Sequence, residues 1–205
     1  MELNKKYSHI ASDDLIAKTV SALKANGMDA IIVGSGAEAK EKALGMIPEH
    51  AEVMTMTSRT LEATGIAAEL NESGRYDSVR KKLSALNRET QAREMRKLGS
   101  APDWVIGSVH SVTEDGEVYV ASASGSQLPA YVYGAGRVIW VVGAQKIVKN
   151  KEEAFERIET YTFPLEDERA QQAYGMHSSI SKLLIVNKEM PGRITVIIVK
   201  ENIGF

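Results

Sequence analysis

The sequence predicts an α/β fold built on a mostly parallel sheet. Two observations carry this. Short apolar runs alternate with segments of helical periodicity through the first two-thirds of the chain, the pattern of strand–helix units. In addition, Val138-Ile-Trp-Val-Val142 is apolar at every position, as in a strand covered on both faces. The composition suits a packed domain: 205 residues, 43% hydrophobic and 25% charged, long enough to bury roughly 70% of its unfolded surface.

The elements follow in order. Ser12 is placed to cap a helix, and Asp13 and Asp14 favour the positive end of its dipole. Leu15, Ile16, Val20 and Leu23 give that helix one apolar face, and Gly27 supplies a left-handed stop. This predicts an N-terminal helix within residues 1–28, packed on a single domain of residues 29–205. Ala30-Ile-Ile-Val33 reads as a buried strand that runs into Gly34-Ser35-Gly36, with a helix over Ala37–Met46 after it. Val53-Met-Thr-Met56 is a second strand. The hydroxyl-rich loop Thr57-Ser58-Arg59-Thr60 then opens a short helix near Leu61.

Residues 77–98 read as one or two helices seamed by Val79, Leu83 and Leu86. Between Arg75 and Lys97 there are eight Lys or Arg against three acids, a run that reads first as a solvated face. Trp104-Val-Ile106, Glu117–Ala121 and Val138–Val142 read as strands. A helix over Lys151–Tyr161 is expected to carry Phe155 and Ile158 inward and to end at Pro164. Leu165–Ala170 reads as a charged helix start. Leu183–Val186 and Ile194–Val199 are the last strands, with a turn at Pro191-Gly192 between them.

Composition narrows the function classes. There are 25 Lys and Arg against 27 Asp and Glu, for a net charge of -2, so nothing pulls the chain toward nucleic acid or an anionic membrane. There is no cysteine. Disulfides, thiol catalysis and Cys-held Fe–S clusters are thereby excluded, and no cofactor is expected. No apolar signal core opens the sequence and no run is long enough to span a membrane, so a cytoplasmic protein is expected. His9, His50, His110 and His177 are scattered, with no metal-ligand spacing. A homodimer is expected from base rates alone.

In open α/β sheets ligands sit beyond the carboxyl ends of the strands, so the loops there are the candidate site. Gly34-Ser35-Gly36 could offer amides to an anion at a helix start, or be only a tight turn. Thr57, Ser58 and Arg59 could bind a phosphate or carboxylate, or merely cap a helix. The richest stretch is Glu114-Asp115-Gly116 followed by Ala121-Ser-Ala-Ser-Gly-Ser-Gln127. Glu114 is a candidate base or nucleophile, or the exposed end of a hairpin turn. Gly116, Ser122, Ser124, Gly125, Ser126 and Gln127 could bring backbone and hydroxyls against a ligand. Lys146, just after the strand at Val138–Val142, adds a charge at a strand end.

At these loops the chain resembles the LUD family, the lactate-utilisation domain of LutC/YkgG type, from about Ala30 to Phe205. The likeness is carried by Thr57-Ser-Arg-Thr-Leu61, Gly107-Ser-Val-His-Ser-Val-Thr-Glu-Asp-Gly116, Ala121–Leu128, Val138–Val148 and Pro164-Leu-Glu-Asp-Glu-Arg169. It implies a three-layer α/β/α fold of the NagB/RpiA/CoA-transferase-like superfamily. It also implies a small anionic or nucleotide-like ligand over the strand ends, in service of lactate or related organic-acid metabolism. Some members of that superfamily use a Glu from a Glu-x-Gly turn, which Glu114-Asp115-Gly116 matches. Where the family usually reads Glu-Thr-Gly-Thr, this chain reads Glu114-Asp-Gly-Glu117. The resemblance thus leaves two alternatives to ligand binding alone: a transferase or isomerase using Glu114, or a non-catalytic subunit that works with redox partners of lactate oxidation.

Overall fold

The computed structural model describes residues 3–205. Its centre is a sheet of six parallel strands: β1 (Asp29–Val33), β2 (Glu52–Thr55), β3 (Asp77–Ser78), β4 (Trp104–Gly107), β7 (Arg137–Gly143) and β10 (Ile194–Val199). Their order is β1-β10-β7-β4-β2-β3. The two most apolar strands, β7 and β10, lie side by side in the interior, each with parallel neighbours on both sides. Their side chains are covered on both faces, which is why they lack an alternating pattern.

One face is covered by helices α2 (Gly36–Met46), α3 (Arg59–Ala63) and α4 (Ile66–Glu72). Ala39, Ala43, Leu61, Ile66 and Leu70 pack there on Val53, Ile106, Ile139, Val141 and Ile197. The opposite face carries α1 (Asp13–Ala25), which brings Ile16, Val20 and Leu23 onto Ala30, Trp140, Val142 and Val196. Ser12 caps α1 by accepting the Leu15 N–H, and Gly27 stops it at φ 84°. Helices α5 (Val79–Ser84) and α6 (Ala92–Ser100) complete this side, separated by a loop.

Part of the second face is a smaller sheet, which the strand–helix alternation does not announce. Strands β5 (Ser111–Thr113), β6 (Val118–Ser122), β8 (Ile147–Val148) and β9 (Lys182–Val186) pair in the order β8-β5-β6-β9. Here β5–β6 and β6–β9 are antiparallel and β5–β8 is parallel. Val112, Val118 and Val120 of this sheet join the same core as Trp140 and Val142. Behind it lies α7 (Lys151–Arg157), whose Ala154 packs with Tyr119, Val148, Ile158 and Tyr161.

Two expectations for this helix are corrected. Pro164 does not end it: α7 passes through a wider, π-type turn over Ile158–Thr162 and continues as α8 (Phe163–Tyr174), with Pro164 in the first turn of α8. Proline has no N–H to offer the carbonyl four residues back. That carbonyl, Thr160 O, instead accepts the N–H of Asn4 at 3.1 Å, so the N-terminal segment completes the helix. The second correction concerns the inward face. Phe155 is exposed at the rim, edge-on to Tyr119. The inward position is taken by Arg157, which has no solvent exposure.

Candidate functional site

Three chain segments meet beyond the carboxyl ends of β2, β4 and β7. From β2 come Met56 and Thr57, with Ser58 accepting the Leu61 N–H to cap α3. After β4 come Ser108, Val109 and His110. After β7, a tight turn over Ala144–Lys146 leads into β8. Glycine ends both β4 and β7 because other groups occupy the side-chain space. A Cβ on Gly107 would lie 1.8 Å from the Tyr131 hydroxyl, and one on Gly143 would lie 2.2 Å from Gln145 Oε1.

Lys146 lies at the floor of this junction, 1% exposed. Its Nζ bonds to Thr60 Oγ1 at 3.2 Å, Ser108 Oγ at 3.1 Å and Val109 O at 3.1 Å. Arg157 sits beside it. It donates to His110 O, to Thr162 Oγ1 at 2.8 Å and to Gln145 O at 3.4 Å, and it stacks on the Tyr161 ring. The two basic side chains thus hold the consecutive carbonyls of Val109 and His110. No carboxylate is among their partners. The Nη2 of Arg157 is buried without any hydrogen-bond partner.

Burial pushes Lys146 well below the usual lysine range, and the Arg157 charge pushes it further. Burial also lowers Arg157 to about 10. His110 Nδ1 accepts the Ala121 N–H at 3.0 Å. Burial, then the Lys146 and Arg157 charges, push His110 down to about 3, so it is a neutral imidazole whose proton is on Nε2. Arg80 marks the neighbouring strand end: it donates to Thr55 O at 2.6 Å and to Thr57 Oγ1 at 3.3 Å.

The loop Ala121–Gln127 is tied to this junction through His110, and it holds its own shape. Ser122 Oγ donates to Gln127 Oε1 at 2.9 Å and accepts the Gly125 N–H at 2.8 Å; Ser124 and Ser126 bond to each other. Gly125 is at φ 81°, the left-handed region open to glycine. The structure links the Ser122–Gln127 loop through His110 to the strand end that holds Lys146, while Thr57 bonds to Arg80 at the neighbouring strand end.

The remaining sequence-predicted residues are engaged elsewhere. The amides of Gly34-Ser35-Gly36 do not face an open anion site, because the protein's own carboxylates fill it. Glu38 accepts the Gly34 N–H and Glu201 the Gly36 N–H, both at 2.9 Å, while Ser35 caps α2. This corrects the reading of that loop as an anion cradle: two acids already compensate the helix N-terminus. Arg59 pairs with Glu62 at 2.6 Å across the exposed surface of α3. Glu114 pairs with Lys18 of α1 at 2.7 Å. Gly116, at φ 78°, lets its turn press onto α1, where a Cβ would meet Ala22 at 2.7 Å. Glu114 shares no partner with Lys146.

The LUD domain family model matches residues 16–199. This chain belongs to the LUD domain family. The family is associated with lactate utilisation. Among solved structures, a DUF162 family protein from Deinococcus radiodurans matches with a TM-score of 0.58 and 14% identity, covering 93% of this chain and 99% of that one. At that identity the likeness shows the fold. No curated protein matches the chain. Among the described residues no helix is long and apolar enough to cross a membrane, and no group of three or more His, Asp or Glu could hold a metal ion.

Sequence reasoning missed Thr60, Arg80, Ser108 and Arg157 of this LUD domain. Arg157 carried a usable signal. It falls on the apolar stripe of Ala154, Ile158 and Tyr161, where a charge is out of place unless it has a buried role. Ser108 and Thr60 carried none, since a single hydroxyl at a strand end or helix start is ordinary.

Proposed function

We propose that this LUD domain binds a small anionic metabolite beyond the ends of β2, β4 and β7, in the utilisation of lactate or a related organic acid. One observation carries the reading: Lys146 and Arg157 are buried side by side, with no carboxylate partner and one guanidinium nitrogen unpaired. Burying the Arg157 guanidinium without a counter-charge is costly, and the same burial disfavours a charge on Lys146. An incoming carboxylate or phosphate supplies the missing charge. Ser108 and His110 beside them are half-buried, and Arg80 with the Thr57 hydroxyl adds polar groups at the neighbouring strand end. The carboxylates nearby are directed to other partners, so they do not compete. Redox proteins of lactate oxidation are the partners this role implies.

A thermal-shift panel of 2-hydroxy acids, 2-oxo acids, sugar phosphates, CoA esters and nucleotides tests the reading. A ligand at a hundred times its Kd stabilises the fold by about 2.7 kcal/mol. We expect an acid or phosphate from the panel to raise Tm, and Lys146→Met to abolish that rise. A panel without effect overturns the reading.

A further inference from the structure

We propose that Ser108 and Lys146 form a nucleophile–base pair for acyl transfer, acting on an ester or thioester of a small carboxylic acid. The hydrogen bonds around Lys146 Nζ leave room for a neutral amine. Thr60 Oγ1 donates its only hydrogen to Ile203 O at 3.3 Å, so toward Lys146 it can only accept. Val109 O is a carbonyl and can only accept. Ser108 Oγ has no other side-chain or backbone partner among the described residues, and it alone can donate to Nζ, at 3.1 Å. A neutral amine has two N–H groups and one lone pair. It fits this cage by donating to Thr60 and Val109 and accepting from Ser108; an ammonium would donate to all three, but it would be buried beside the Arg157 guanidinium with no carboxylate partner.

The surroundings favour that neutral form. Lys146 is buried, its charged neighbour is Arg157 of α7, and the other titratable group at the junction is the neutral His110. A guanidinium keeps its proton where an amine yields one. The division of exposure suits the roles. Ser108 is half-buried, and the amine bonded to it is buried. Thr60 and Val109 O fix the amine, as the third group of a catalytic triad fixes its base. Other hydroxyls in the region are committed: Ser111 donates to Ala154 O, Ser122 to Gln127, and Ser58 caps α3. The Nε2–H of His110 is an uncommitted donor available to an oxyanion.

The step is an addition followed by elimination. Ser108 Oγ attacks the acyl carbon while its proton moves to Lys146 Nζ. The bond from that carbon to the alkoxide or thiolate then breaks, and Lys146 returns the proton to the leaving group. Water repeats the sequence on the acyl-serine, releasing the acid and restoring Ser108.

A fluorophosphonate tests the pair directly, since the serine oxygen displaces fluoride from phosphorus. Intact mass and peptide mapping should show one label per chain, on Ser108, and none in Ser108→Ala. Lys146→Met and Lys146→Arg lack a base at this position. Either variant that keeps the wild-type unfolding transition should label roughly 100-fold more slowly, the order that general-base assistance provides. No label on the wild type, a label on Ser122 or Ser126 instead, or undiminished labelling of a folded Lys146 variant overturns the pair. Labelling of Ser108 needs no anionic ligand, so a silent metabolite panel and a silent probe are separate results.

Discussion

The ends of β1 and β7 make an instructive pair. Both are polar, both lie at the carboxyl edge of the parallel sheet, and both lead into tight turns. At β1 the loop is rich in glycine and hydroxyl, the usual composition of an anion cradle, yet Glu38 and Glu201 hold its amides. At β7 the turn Ala144-Gln-Lys146 has no such composition. It nevertheless places a buried amine beside a buried guanidinium with no acid in reach. Loop composition says which backbone groups are free in principle. The charge balance after folding says which are free in fact, and here the two point to opposite ends of the same sheet.

The sharpest way to break the contrast is at Arg157. Its fully buried guanidinium ties His110 O, Gln145 O and Thr162 together. Arg157→Met strands three acceptors of a buried network, and a buried acceptor left unpaired costs about 1–3 kcal/mol. Urea unfolding should show that loss. A variant as stable as the wild type would mean that the buried cation is not integral to the strand end.

The acid limb of stability comes next in size. His110 is held neutral down to about 3 in the fold, below its ordinary value. The unfolded chain therefore binds a proton that the folded chain refuses between roughly pH 6.5 and pH 3. Stability tied to His110 is fully present above that window and falls with pH through it, with a slope of at most about 1.4 kcal/mol per pH unit. His110→Asn can keep the acceptor for the Ala121 N–H without the titration. Its unfolding free energy should decline less between pH 6.5 and pH 4 than that of the wild type. Parallel curves would remove His110 as the cause.

Glu201→Ala sharpens the other side of the contrast, because it frees the Gly36 N–H at the start of α2. The expected loss is about 1–2 kcal/mol for one charge-assisted hydrogen bond at a helix N-terminus. Added phosphate should recover part of it in the variant and not at this loop in the wild type. If phosphate does not discriminate between them, the β1 loop is not an anion site closed by its own acids.

How much of this was legible beforehand follows the range of the interactions involved. Five strands of the large sheet could be read from apolar runs, a local property, whereas β3, two residues inside a stretch read as helix, could not. The second sheet could not, because β8 is two residues long and its strands, from Ser111 to Val186, are defined by pairings across distant sequence. The site divides the same way. Lys146 was a visible candidate, but its partners come from residues 60, 108 and 109, and its like-charged neighbour from 157. Pro164 misled because the compensating N–H is supplied by Asn4, far away in the chain.

Glu114 is where the smallest effect is expected, and the smallness is informative. The Glu-x-Gly turn is the sequence's candidate for a catalytic acid, yet here it is pressed onto α1 with its carboxylate on Lys18. Lys18 is largely exposed, so the pair resembles a surface salt bridge, of the kind that contributes less than about 1 kcal/mol. Glu114→Gln keeps the shape and can still accept from Lys18. It should shift the unfolding midpoint little and leave both ligand-induced stabilisation and Ser108 labelling at wild-type levels. Loss of either function would return chemistry to the hairpin. Retention would place it with the amine and hydroxyl at the ends of β4 and β7, which the turn at Glu114 does not touch.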